Sequence, residues 1–489
     1  MDESDNMTTP IEMRLSEVSG MPSPQMDLSY VVAIPNNGAV FSQNNEVRIP
    51  LNVPTDCFVD LKRAYLKYKI SAVSNPIFLD PLIGGASVIE NWRVVGGTGQ
   101  LLEEVIHYNN FYAVMKANDN DYHRASVGHL GDGCSVRPAQ ALNYVDNNGA
   151  DAAMVSKNLV KIAAGESRNI THKPQSAFFN ADRYMPLGFS TGSTYLSITL
   201  SQDATATISS TAGNGTYTAS EWELHLPILR PSNEFAQMFR SAMSSGVPVQ
   251  IHSVGAQNTQ QTITSTGTGD QTLTFSTRKR SVKSLITSLR LNSTITTPTA
   301  SSISSFVNCN ISQYNYSVGG MRVPAQPLAV STAVNGLNAG EIMSQQQLSL
   351  GHFNSNLRGI CCMDNVGLTD YTLAQALTTN VAGTYTQNAV VNVSIPLDLK
   401  STSTYFGTDG QNEATGKESS KCQFAIDLES YNASFAGMNL SGQGLPVVLH
   451  AQVGANGANS LGAVLCDMYI IHDVVFVLDG TTGTFTANS

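Results

Sequence analysis

Short runs in which polar and apolar residues alternate, broken roughly every 8–12 residues by turn-forming residues, recur from Leu28 to Leu478 and dictate a β protein. Glu46-Val-Arg-Ile-Pro-Leu-Asn-Val53 has the period of two that points successive side chains to opposite faces of a sheet. Leu28-Ser-Tyr-Val-Val-Ala-Ile34 is β-branched and aromatic, and Pro35-Asn-Asn-Gly38 behind it supplies turn chemistry. Cys57 to Ile70 continues the pattern. Further strands are predicted at 159–162, 195–200, 205–209 and 221–229.

Helical spacing interrupts this rhythm in three places. Leu101, Leu102, Val105, Ile106, Tyr108, Phe111, Tyr112 and Met115 recur at three- and four-residue intervals, which predicts a helix over 101–115. Glu234 to Met243 is a short amphipathic helix opened by Pro231-Ser232-Asn233 and closed by Gly246. Asn335 to Gln347 suits another. After the second helix the strands restart, at 247–254, 261–264, 271–276, 285–291, 307–318, 389–395, 422–428, 445–453 and 464–478. Polar residues 117–157 read as a long loop. The chain therefore divides into a flexible arm (1–27), a β domain (28–230), a helical connector (231–246) and a second β domain (247–489).

Composition narrows the function. The 489 residues are 42% hydrophobic and only 13% charged, with a net charge of −10. That balance supports a packed core and argues against wrapping nucleic acid, which needs clustered cations. The densest basic run, Arg278-Lys279-Arg280 with Lys283, reads as a solvated turn. The run Ala463 to Leu478 is interrupted by Asp467, His472 and Asp473, so nothing spans a bilayer. Asp2, Glu3 and Asp5 deny the N-terminus the basic region of a secretory signal, so Asn-x-Ser/Thr matches such as Asn292 and Asn439 read as chance.

Candidate chemistry is sparse. Seven cysteines (Cys57, Cys134, Cys309, Cys361, Cys362, Cys422, Cys466) are widely spaced, odd in number and without a C-x-x-C pair, which reads as free thiols. Adjacent Cys361-Cys362 leaves open a strained disulfide or a shared metal site. His123, His129, Asp121 and Asp132 form the one local cluster of potential metal ligands, but their spacing matches no zinc pattern and favours a solvated loop. Gly97-x-Gly99-x-x-Leu102 imitates a dinucleotide-binding turn, yet its third glycine is a leucine, so it reads as a plain β-turn entering a helix. His472-Asp473 lies inside a hydrophobic strand and points its two side chains to opposite faces, as an edge or interface position would. No catalytic residue, cofactor site or metal site emerges, and the chain is not expected to be an enzyme.

Three passages carry a family resemblance. They are Gly84-Gly-Ala-Ser-Val-Ile-Glu-Asn-Trp-Arg-Val-Val95 with its continuation to Tyr112, Pro227-Ile-Leu-Arg-Pro-Ser-Asn-Glu-Phe235, and Arg280-Ser-Val-Lys-Ser-Leu-Ile-Thr-Ser-Leu-Arg290 followed by Gln313 to Pro327. With two tandem β halves, the chain resembles the double jelly-roll major capsid proteins of icosahedral DNA viruses, the polinton-like virus, virophage and adenovirus-hexon-like lineage. The resemblance implies an all-β fold of two tandem jelly-roll sandwiches with short connecting helices and long loops. It also implies a structural subunit that forms homotrimers, pseudo-hexagonal capsomers that meet laterally and an icosahedral shell. Penton and minor or cement proteins, and an internal membrane, would be its neighbours in the virion, and the host cytoplasm or nucleus its place of synthesis. Two alternatives stay open: a carbohydrate-binding or carbohydrate-active two-domain sandwich, such as a viral fibre or glycosidase, and a capsid built from single jelly rolls.

Overall fold

The computed structural model describes residues 26–80, 82–116, 128–134, 160–209, 215–246, 248–263, 269–292, 303–304, 306, 311–329, 340–351, 423–429, 435–442, 446–453 and 463–489. Four antiparallel sheets carry the fold, and they form two pairs with the same strand permutation.

In the first half, one sheet has the order β1 (Met26–Ala33), β13 (Tyr217–Pro231), β5 (Tyr65–Ala72), β10 (Ser167–His172). Short strands β2 (Val40–Phe41) and β4 (Phe58–Val59) also pair with β13. Its opposing sheet is β3 (Glu46–Pro50), β11 (Tyr195–Leu200), β7 (Ile89–Val95), β8 (Leu101–Val105). A small side sheet joins β12 (Thr207–Ser209), β6 (Ile77–Leu79) and β9 (Lys161–Ile162). With the accessory strands set aside, the two main sheets read 1-8-3-6 and 2-7-4-5 in chain order.

The second half repeats that order. One sheet is β14 (Val249–Ile263), β21 (Val464–Leu478), β16 (Val282–Leu291), β19 (Gln423–Asp427), with β22 (Phe485–Asn488) added to β21. The other is β15 (Gly269–Phe275), β20 (Val447–Val453), β17 (Ile311–Val318), β18 (Met321–Ala329). Eight strands in two facing sheets with this permutation make a jelly roll, and here there are two.

Period-two alternation explains the interiors. Val47, Ile49, Leu66, Tyr68, Ile70, Trp92, Val94, Leu196, Ile198, Leu224 and Leu226 point inward from the first pair of sheets, and the Tyr68 and Trp222 rings stack at 4.3 Å. Leu285, Leu289, Tyr314, Tyr316, Leu449, Ala451, Met468 and Ile470 fill the second core. The connecting helix, Asn233–Ser244, is capped by Ser232, whose hydroxyl accepts from the Phe235 N–H.

Several expectations change. The segment 101–115 is not one helix: Leu101–Val105 pairs with β7, and the helix is Tyr108–Lys116. Both halves carry apolar residues at helical spacing, but the first satisfies its backbone on β7, with Arg93 Nε donating to Glu104 Oε1 at 2.6 Å. His107, at φ 52°, then breaks the strand before the helix begins. The turn Gly96–Gly99 accordingly closes a hairpin, with the Gly96 N–H donating to Gln100 O at 2.8 Å. Cys57–Ile70 is not continuous either; a 3₁₀ turn at Leu61–Arg63 separates β4 from β5. Conversely, 247–254 and 261–264 belong to one fifteen-residue strand, β14, because β21 pairs with it along its whole length. The third helix spans Gly340–Gly351. The strand expected at 389–395 lies outside the described residues, as does most of the arm 1–27.

Candidate assembly surfaces

Three surfaces or clusters stand out: the seam between the rolls, the polar groups buried along it, and an open sheet face on the first roll. At the seam, the outer face of the β14-β21-β16-β19 sheet packs against the first roll. Tyr469 and Ile471 of β21 join the first core, whereas Cys466, Met468 and Ile470 join the second. The Tyr108–Lys116 helix, buried through Met115, fills the space between, with the rings of Phe111 and Tyr469 5.2 Å apart. Asn110 Nδ2 donates to the Tyr469 hydroxyl at 2.7 Å, Ser253 Oγ to Ala177 O at 2.6 Å, and Ser304 Oγ to Asp80 Oδ2 at 2.7 Å. Apolar contact bridged by these hydrogen bonds makes the seam a continuous packed interface between the two rolls.

Buried charge concentrates along the seam. Arg290 Nε donates to Asp467 Oδ2 at 2.8 Å, both side chains being buried. Burial pulls the Arg290 guanidinium down, but the Asp467 carboxylate outweighs it and holds the group above its ordinary value. Glu103 accepts from the Phe178 N–H at 2.9 Å and from the Ala177 N–H, and burial raises its carboxyl above the usual range against those bonds. A cavity of about 270 Å³ beside it is lined by Lys279, His472, Gly255, Gln257 and Ser489. His472 Nδ1 lies 3.1 Å from Ile470 O; burial first, and the Lys279 charge second, push its imidazole down to about 3.

The residues singled out from sequence fare differently. His472 and Asp473 are not at an edge: β21 has neighbours on both sides, and both side chains are buried. Asp473 Oδ2 accepts from the Ser281 hydroxyl at 2.5 Å and from the Phe435 N–H at 2.9 Å. Lys283 is likewise no part of a solvated turn, because it is buried with Nζ 2.7 Å from Glu429 Oε1 and 3.6 Å from Asp473 Oδ1; Arg278 and Arg280 are exposed. His129 Nδ1 lies 2.7 Å from Cys134 O, and Arg168 donates to the His129 carbonyl at 2.7 Å.

Asp132 turns elsewhere, to the Tyr112 hydroxyl at 3.2 Å and Lys116 Nζ at 3.5 Å, with His172 Nδ1 3.9 Å away. Burial pushes the Asp132 carboxyl up, but His172, Lys116 and Tyr112 together hold it below its usual value. His123, Asp121, Cys309, Cys361, Cys362 and Cys422 lie outside the described residues. Cys57, Cys134 and Cys466 are buried thiols outside any disulfide, and no grouping of three metal-ligating side chains occurs among the described residues. No helix among them is long and apolar enough to cross a membrane.

Sequence reading missed the open face. On the outer side of β1, Leu28 (51% exposed), Tyr30 (65%), Val32 (47%) and, just beyond, Ile34 (62%) form one row. Cross-strand pairing sets them beside Leu229, Pro227 and His225 of β13, and the His225 ring stacks on Tyr65 at 4.5 Å. Further across the same face, Lys67 pairs with Glu223 and Lys69 with Glu221, each at 3.0 Å. Among the described residues β1 pairs with β13 alone, so its other backbone edge has no partner there. The alternation Leu28/Tyr30/Val32/Ile34 was a readable signal; that this parity faces outward is decided only by the pairing.

No family model matches the sequence, and no curated protein matches it. Solved structures do. The chain is similar to one in the PBCV-1 virus capsid (TM-score 0.53, 10% identity, covering 94% of this chain and 97% of that one). It is also similar to a chain in the Sputnik virophage structure (TM-score 0.51, 10% identity, covering 96% of this chain and 89% of that one). Identity this low speaks for the fold, and the coverage runs end to end on both sides. The repeated strand permutation and these two likenesses agree: this chain has the double jelly-roll fold of viral capsid proteins.

Proposed function

We propose that this protein is a structural capsid subunit, without enzymatic activity, that closes into homotrimers and tiles an icosahedral virion shell. The observation that carries the reading is the unequal fate of two equivalent sheets. The 1-8-3-6 sheet of the second roll covers the first roll, while the outer face of the first roll's 1-8-3-6 sheet carries the exposed row Leu28, Tyr30, Val32 and Ile34. A surface used on one side and open on the other fits head-to-tail contact between copies, and three two-roll chains in a ring give six similar positions. Burying that row and the open edge of β1 also removes an aggregation hazard.

In this reading residues 28–230 and 247–489 are the two rolls, 231–246 the connector, and penton or minor capsid proteins the further partners. The PBCV-1 capsid and Sputnik likenesses support it at the level of fold.

Light scattering is expected to give a particle of ~157 kDa, three times 52.2 kDa. Negative-stain images are expected to show a hexagonal outline. A monomer that hydrolyses glycans would overturn the proposal. Tyr30→Glu with Val32→Glu is expected to weaken association at least about tenfold, since each buried apolar side chain contributes about 1.5–3 kcal/mol. The monomer's circular dichroism should stay unchanged, because both positions are exposed.

A further inference from the structure

A second cavity lies where the two rolls and the connecting helix meet. Its volume is about 710 Å³, and Phe58, Phe235, Phe239, Tyr184, Pro186 and Ile251 give it an apolar floor. The rim carries charge: Lys62 Nζ lies 3.8 Å from Asp182 and Arg63 Nε 3.3 Å from Asp60, while Arg183 has no ion-pair partner among the described residues. Met26, the first described residue and the start of β1, is itself part of the lining. Residues 1–25 are therefore tethered at the mouth of this groove.

Their sequence is complementary to it. Asp2, Glu3, Asp5, Glu12 and Glu17 oppose a single Arg14, so the segment is acidic. Ile11, Leu15 and Val18 recur at four and three residues behind Thr9-Pro10-Ile11-Glu12, which has the spacing of a capping box with proline at its first position. We propose that the groove is the docking site for residues 1–25 of the same chain, with Ile11, Leu15 and Val18 over the phenylalanines and the acidic side chains toward Arg183. Tethering at Met26 makes the contact intramolecular, at an effective concentration of about millimolar, so modest intrinsic affinity suffices. Occupied in this way, the groove covers apolar surface at the joint of the two rolls and fixes the direction in which the chain enters β1.

The test uses the full chain with a benzophenone amino acid in place of Leu15, irradiated and mapped by mass spectrometry. Adducts within one chain on residues 58–63, 182–186 or 235–239 are the expected result. Arg183→Glu, at an exposed position, should lower their yield about threefold. Ile11→Asp should lower it about tenfold. Adducts elsewhere on the surface, adducts joining two copies, or a yield indifferent to both substitutions would each overturn the proposal. The readout is independent of trimer formation, so it stands apart from the fate of the capsid reading.

Discussion

Stability is expected to fall by about 2 kcal/mol between pH 6.5 and pH 5, and by about 4 kcal/mol by pH 3, through His472 alone. Its imidazole is buried at the seam and pushed down from an ordinary 6.5 to about 3. In that interval the unfolded chain binds a proton that the folded chain refuses, so stability rises with pH from about 3 to 6.5 and is lost on acidification. The groups that face it act in the same enclosed space: Lys279 across the cavity opposes its charge, and Glu103 lines the same wall. Glu103, raised by burial, works in the other sense, since the folded state holds its proton more tightly and gains stability as pH drops.

Asp132 and Glu90 are both held below their ordinary values, so their stabilising contribution is lost as pH falls through the acidic range below about 4.5. Between pH 6.5 and 5 the contributions of Asp132 and Glu90 are therefore nearly constant, and the comparison with a His472 variant separates the histidine from Glu103. Urea denaturation at these two pH values should show the loss in the natural protein and most of it abolished in His472→Gln, which cannot take up the proton. An equal loss in both proteins would mean that another group is responsible.

Asp467→Ala is expected to cost about 3–5 kcal/mol, among the largest effects of any single side chain, because it leaves the Arg290 guanidinium buried without its 2.8 Å partner. Gln260, whose side-chain amide also donates to Asp467, loses an acceptor as well. The penalty belongs to the buried guanidinium that has lost its carboxylate more than to the pair. Arg290→Met combined with Asp467→Leu should therefore recover most of the loss, since an apolar pair of similar volume has no ions to desolvate. A double-mutant cycle by chemical denaturation measures this; a double variant as unstable as the sum of the two single ones would place the effect in packing.

Much of the fold was legible because strand alternation is a local property. The run 464–478 read as a strand although it is nearly continuous in apolar residues, and the structure explains why: β21 is buried on both faces, one against each core. The helix 233–244 was equally legible, since its cap and its apolar stripe lie within its own residues. Segment 101–115 was misread because Leu101, Leu102 and Val105 fit a helical stripe and a strand equally well, and only β7, supplied from elsewhere in the chain, chooses between them. Lys283 was misplaced for a related reason, and of the edge or interface position read for His472 the edge alone fails. A lysine beside exposed arginines reads as solvated until the neighbouring strand β19 brings Glu429 to it, and a histidine in a strand shows its burial only when the neighbouring roll closes over it.

By itself the sequence determined the β class, the two halves and the connector between them, because backbone hydrogen bonding and side-chain periodicity act over a few residues. The tertiary structure alone decided the rest. It set the 1-8-3-6 and 2-7-4-5 permutations, the seam that buries Arg290, Asp467 and His472, and the outward parity of Leu28, Tyr30 and Val32. Each of these depends on pairing between strands distant in the chain, more than two hundred residues apart in the case of β14 and β21. Which face of a strand is buried follows from its partners, and no local pattern contains them.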